Sequence, residues 1–189
     1  MNQTMPDSLL DPDGNLYVFG YGSLIWKPGF AHAGAHPALL RGFHRSFCLW
    51  SRSYRGTPEC PGLVLGLDRG GACRGMAFRV RAEEAGAVLD YLDKREMKGT
   101  HYLRRVLPLR LLDTGATRRA VTFVANRRGA EYCRAMTPER VAATIALGHG
   151  CMGPNRDYLV NTVSHLRSMG VRDAGLDRIA ALLPMLEEA

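Results

Sequence analysis

Strand-like apolar runs crowd the first two-thirds of this 189-residue chain, and helical periodicity fills the last third. That order constrains the fold more than any other feature. Alternating strands and helices build doubly wound parallel sheets, whereas segregated ones build α+β layers. Residues 16–20 read as a strand, and "PALLRGFHRSFCLWS" (37–51) as a strand or one long bent strand. "LVLGLDR" (63–69), a Gly70-Gly71 turn and "CRGMAFRV" (73–80) predict a β-hairpin. Residues 83–97 predict an embedded helix, and 101–113 and 118–126 predict two further strands. Three more helices are expected near 138–148, 155–169 and 173–187. The predicted class is α+β, with segregated helices against a mixed or antiparallel sheet. Residues 1–15 read as a loose, turn-rich leader and 16–189 as a single domain, without repeats or low-complexity tracts.

Bulk properties narrow the function classes. A chain of about 150 residues already buries roughly two-thirds of its unfolded surface, so this one can hold a substantial core. No apolar run approaches the roughly 18 residues of a membrane helix, so no membrane partner is expected. The N-terminus, "MNQTMPDSLLDPDGN", lacks a basic segment followed by an apolar one, which predicts a cytoplasmic address. The five cysteines are odd in number and none has CxxC spacing, which argues against a disulfide framework and a zinc cluster. Net charge is +7, carried by 22 Arg and three Lys against 18 acidic residues. Such charge attracts anions. No nucleic-acid-binding motif accompanies it, so no nucleic-acid partner is expected. The oligomeric state is left open.

The segment "LYVFGYGSLIW" (16–26) breaks an apolar run with Gly20, Tyr21, Gly22 and Ser23. A dinucleotide fingerprint would need glycine at position 25, which is Ile25. A nucleophile elbow around Ser23 would need glycine at 21 and 25, and finds Tyr21 and Ile25. No GKS or GKT follows, so a phosphate loop is excluded. Two readings remain: a tight turn at the strand exit, or a backbone N–H cluster that binds an anion or oxyanion.

Other motifs weaken on inspection. A literal GxGxxG occurs at 148–153, but the helical "PERVAATIAL" precedes it where a dinucleotide site requires a strand. Those glycines are expected to end one helix and lead into the next at Pro154. His32 and His36 sit in "AHAGAHP", a poor helix, and no HExxH exists, so no metal site is expected. His44 and Cys48 could form a thiol–imidazole pair, or be a surface histidine and a core cysteine.

The embedded helix is more informative. Ala85, Val88, Leu89 and Leu92 fall within an arc of about 100°. The next position on that stripe is Glu96. Burial disfavours a charged carboxylate and raises its pKa, which suits a general base near neutral pH. The alternative is a last-turn glutamate that escapes to water or pairs with an arginine.

Together these features resemble the ChaC-type γ-glutamylcyclotransferases, in their glutathione-specific branch. "VFGYGSLIW" (18–26) is similar to the family's opening motif. "RGTPECPG" (55–62) resembles its second loop, "YLDKRE" (91–96) the helix end with its catalytic glutamate, and "NRDYL" (155–159) a later helix. The run after Glu96, "MKGTHY" (97–102), departs from the glycine-rich family pattern and leaves the local loop shape open. The resemblance implies a small β-barrel-like core with flanking helices. It implies cleavage of glutathione to 5-oxoproline and cysteinylglycine, without cofactor or metal. It points to Glu96 as the catalytic acid–base and to Val18, Phe19, Gly20, Tyr21, Gly22, Ser23, Leu24 and Tyr158 as substrate contacts. The roles of Arg55 and of the 148–153 glycines stay open. So do two other functions: a cyclotransferase for other γ-glutamyl peptides or γ-glutamylamines, and a non-catalytic arginine-rich binding module.

Overall fold

The computed structural model describes residues 9–97, 99–134 and 136–187. The apolar run at Leu16–Gly20 becomes β1, with every residue buried. One 3-10 turn at Ser23–Ile25 follows. Then come β2 (Gly34–Ser51), β3 (Gly62–Val80), helix α1 (Ala82–Glu96), β4 (Tyr102–Leu111) and β5 (Thr117–Ala125). The five strands close into a barrel in the order β1-β3-β2-β4-β5, with a further pairing of β3 and β5. Antiparallel ladders join β1 to β3 (Leu16 opposite Val80), β2 to β4 (Ala38 opposite Leu111) and β4 to β5 (Val106 opposite Val121). Parallel pairs set β5 against β1 (Val18 opposite Val121) and β3 (Leu67 opposite Val124). The class is the α+β expected, and its sheet is a mixed barrel.

One predicted element is different. Residues 63–80 are not a hairpin but part of the continuous strand β3. Gly70 and Gly71 do adopt positive φ, +97° and +68°. They lie inside one continuous strand instead of reversing it. A glycine pair reports a left-handed backbone, not the direction in which the chain leaves it. Gly42, at φ +84°, likewise lies inside β2, which contains the 37–51 run expected to be a strand.

The chain divides into two units. Among the described residues, the first comprises 9–45 and 67–126, and the second 46–66 and 127–187. In the first, α1 lays Ala85, Val88, Leu89 and Leu92 against a core that includes Leu16, Val18, Phe78, Val80, Val121 and Phe123. Each large apolar side chain so buried contributes about 1.5–3 kcal/mol. Of the leader, residues 1–8 lie outside the described residues. Residues 9–15 make a turn in which the Asp11 carboxylate accepts from the N–H groups of Asp13 (3.0 Å) and Asn15 (2.8 Å). Leu9 and Leu10 pack on the core.

The second unit holds α2 (Pro138–Leu147), two-residue strands β6 (His149–Gly150) and β7 (Gly153–Pro154), α3 (Asn155–Ser168) and α4 (Ala174–Glu187). Thr137 caps α2 through the Arg140 N–H, and Pro138 begins the helix, as N-terminal residues should. Asn155 is fully buried and acts as a strand partner for Leu63. Its amide oxygen accepts from the Leu63 N–H (2.6 Å), and its amide nitrogen donates to the Leu63 carbonyl (2.8 Å).

Candidate active site

The glycine segment leaves β1 as a turn with heavily used anchors. Val18 and Phe19 have no side-chain exposure and belong to the interior. The Phe19 carbonyl accepts from the buried Thr122 hydroxyl at 3.1 Å. At Gly20 a Cβ would press on Leu24 and the Phe78 ring at 3.0 and 3.3 Å, so a side chain there would require these neighbours to give by a few tenths of an ångström. The Tyr21 hydroxyl donates to the Phe123 carbonyl (2.8 Å), and the Tyr21 carbonyl accepts from the buried Arg45 Nε (2.5 Å). Gly22 and Leu24 are buried, and Ser23 is half-buried. The Gly22 carbonyl accepts from the Ile25 N–H and the Ser23 carbonyl from the Lys27 N–H, each at 2.9 Å. N–H groups at the start of such a turn have no acceptor within it.

Glu96 is the last residue of α1. The apolar stripe that seats the helix on the barrel carries this carboxylate inward, and its side chain is 18% exposed. Burial pushes the Glu96 carboxyl above the ordinary glutamate value. The charge and hydrogen bond of Arg95 pull the other way, and burial prevails. Both alternatives for Glu96 are thus present at once, since the side chain is largely buried and is paired with an arginine.

Arg95 joins the two halves of the site. Its Nε lies 3.0 Å from Glu96 Oε1, and its Nη2 donates to Ser23 Oγ at 3.1 Å. Its Nη1 donates to the carbonyls of Lys27 (2.7 Å) and Pro28 (3.1 Å) and to the Tyr91 hydroxyl (3.1 Å). Ser23 and Glu96 therefore share one guanidinium. Arg95 precedes Glu96 in the chain and is not part of the apolar stripe of Ala85, Val88, Leu89 and Leu92. The available signal was its position beside an inward glutamate in the last turn, where a cation also meets the helix dipole.

Tyr158, Arg55 and the 148–153 glycines lie in the second unit. Tyr158 is nearly buried on α3, with Phe47 edge-on at 6.0 Å and the Arg55 guanidinium 5.2 Å from its ring centre. Arg55 Nη1 donates to the carbonyls of Met152 (2.7 Å) and Pro154 (3.1 Å), and burial lowers the pKa of its guanidinium. The 148–153 glycines link α2 to α3 as expected. Gly150 also faces the backbone of Ser53 and Tyr54, where a Cβ would overlap main-chain atoms, and the Cys151 N–H donates to the Ser53 carbonyl at 2.9 Å. All five cysteines are thiols. Cys48 is buried, while the exposed His44 faces the Gly70 carbonyl at 3.1 Å. His36 meets Asp113 at 2.7 Å, and this contact holds the Asp113 carboxyl below its usual range. Among the described residues no three His, Cys, Asp or Glu side chains gather in a way that could hold a metal ion.

Comparison with known proteins fits this geometry. The chain is 36% identical over 177 residues to the glutathione-specific gamma-glutamylcyclotransferase of Escherichia coli (strain K12), covering 93% of this chain and 76% of that protein. It is 33% identical over 181 residues to the enzyme of the same name from Schizosaccharomyces pombe, covering 85% and 87%. A crystal structure of a yeast gamma-glutamyl cyclotransferase specific to glutathione shares the fold, with a TM-score of 0.83 at 22% identity over 91% of this chain and 96% of that one. The family model described as ChaC-like protein matches residues 16–186, from the start of β1 into the last turn of α4. On that match and those identities, the chain belongs to the ChaC-like family.

Proposed function

We propose that this protein is a glutathione-specific γ-glutamylcyclotransferase that converts glutathione to 5-oxoproline and cysteinylglycine. One observation carries the reading: a largely buried carboxylate with a raised pKa is tied through a single guanidinium to the glycine turn. The names of the relatives supply the substrate. The match over 16–186 spans both units, which supports reading 16–189 as one catalytic domain.

The reaction is intramolecular. Glu96 takes a proton from the substrate α-ammonium. The freed amine attacks the γ-carbonyl carbon, a new C–N bond closes the five-membered ring, and the carbonyl oxygen becomes an oxyanion. The old amide C–N bond then breaks and the proton held by Glu96 passes to the departing nitrogen, while the ring nitrogen gives up its second proton, so that the products are a lactam with one N–H and a free ammonium on cysteinylglycine. Because both reacting groups belong to one substrate, holding them at the right angle supplies much of the rate. The Gly20–Leu24 backbone is our candidate for the N–H donors that stabilise the oxyanion or hold the α-carboxylate. Ser23 then serves as a turn residue beside the substrate, not as a nucleophile. Val18 and Phe19 contribute by fixing the strand from which the turn springs, and Tyr158 is our further candidate substrate contact. We place the activity in the cytoplasm, on the odd number of cysteines and the lack of CxxC spacing in the sequence.

The test is purified protein with glutathione, without added metal or nucleotide, assayed for 5-oxoproline. Stoichiometric 5-oxoproline and cysteinylglycine are expected. A folded protein that forms neither at millimolar substrate would sink the reading.

A further inference from the structure

We propose that Arg95 is a positioning residue, whose guanidinium clamps the glycine turn to the end of α1 so that base and oxyanion donors keep one spacing. The proposal rests on the functional reading above.

Three features carry it. First, all three guanidinium nitrogens are engaged. Nε, Nη1 and Nη2 together reach Glu96, Lys27, Pro28, Tyr91 and Ser23, at distances from 2.7 to 3.1 Å. Arginine presents five N–H donors in a rigid planar fork, whereas lysine presents three on a rotating ammonium. Second, these partners come from separate parts of the first unit. Ser23 is 72 positions away in sequence, and Lys27 is 68 positions away. Third, Glu96 closes its helix. The next residue, Met97, is exposed, so α1 has no further turn to steady the carboxylate. Gly29 reinforces the contact from the turn side. It sits at φ +75°, and a Cβ there would overlap the Tyr91 hydroxyl that Arg95 also holds.

A clamp of this kind predicts a loss in turnover more than in binding. Misplacing a base by about 1 Å can cost on the order of 10²-fold in rate. The experiment compares kcat, KM and melting temperature of the wild type, R95M, R95K and R95A with glutathione. We expect R95M to lose on the order of 10²-fold in kcat, with KM moved by less than about threefold. R95K should recover only part of that loss, since it restores the charge and not the fork. Added ethylguanidinium should restore part of the R95A turnover. An R95M variant within about threefold of wild-type kcat overturns the proposal. So does full recovery in R95K, or a loss that follows the melting temperature and does not respond to ethylguanidinium. Should R95M not fold, R95K decides alone by the same criterion. A wild type that makes no 5-oxoproline overturns the functional reading and this proposal with it. An active wild type with undiminished R95M overturns the clamp only.

Discussion

Glu96 sits under two opposed influences, and the balance between them sets what it can do. Burial favours its neutral form, and Arg95 favours its charged form. Burial prevails, so the folded pKa lies above the unfolded one. Between those two values the folded state holds more protons, and the stability contributed by this group falls as pH rises through the interval. The cost is absent below the unfolded value and fully present above the folded one. Glu96→Gln removes the titration and keeps the shape. We expect it to match the wild type in stability below the ordinary glutamate range and to exceed it at neutral pH, as urea denaturation at a series of pH values would measure. The same change should lower kcat by about 10²–10⁴-fold, the usual contribution of a general acid–base, with the circular dichroism spectrum unchanged. In the wild type, the acid limb of kcat/KM should fall above the ordinary glutamate value, since the base acts only when ionised. Glu96 was legible as an inward carboxylate because its spacing from Leu92 continues the apolar stripe. Pairing with an arginine was one open alternative, but that the partner is the adjacent Arg95 was not legible, because neighbouring helix residues point about 100° apart and spacing does not show a side chain curling back.

At the scale of elements, α1 and α3 are seated by different means. α1 is held by four apolar side chains, and its C-terminal end delivers the base. In the second unit, α3 begins on a polar device. Asn155 takes the place of a strand neighbour for Leu63 by satisfying both its N–H and its carbonyl. Asn155→Ala would leave two buried backbone groups without partners. Each such group costs about 1–3 kcal/mol, so a loss of several kcal/mol is expected in equilibrium unfolding, with far-ultraviolet dichroism of the surviving folded fraction preserved. The α1 stripe was legible from periodicity alone, and the structure bounds the helix within one residue of the prediction. The Asn155 device was not, because a polar residue at a helix start reads equally well as an ordinary cap. The glycine pair at 70–71 misled for a related reason. Positive φ is a local property, while reversal or continuation depends on which strands lie alongside.

The whole chain contains a mixed barrel and a helical segment, and a single family match spans both. Substrate choice belongs to this scale, since the γ-glutamyl group is common to many peptides and the remainder of the substrate is not. We expect a panel of glutathione, γ-glutamyl-alanine and γ-glutamyl-lysine to show kcat/KM highest for glutathione by at least about tenfold, a difference of about 1.4 kcal/mol in transition-state binding. Equal rates across the panel would make the protein a general γ-glutamyl cyclase. Salt-sensitive RNA binding without cyclase activity would favour the binding-module reading instead.

The order of strands and helices, the apolar stripe of α1 and the bare glycine turn were determined by the sequence itself. They arise from local periodicity and from the steric freedom of glycine, which act over a few residues and leave a pattern in the chain. The tertiary structure alone decided that β3 runs on through Gly70 and Gly71, that Tyr21 turns its hydroxyl to Phe123, and that Arg95 holds Ser23 and Glu96 together. Those features pair groups far apart in sequence. Nothing in either partner's neighbourhood marks the other, and only closure of the barrel and docking of α1 bring them within hydrogen-bond distance.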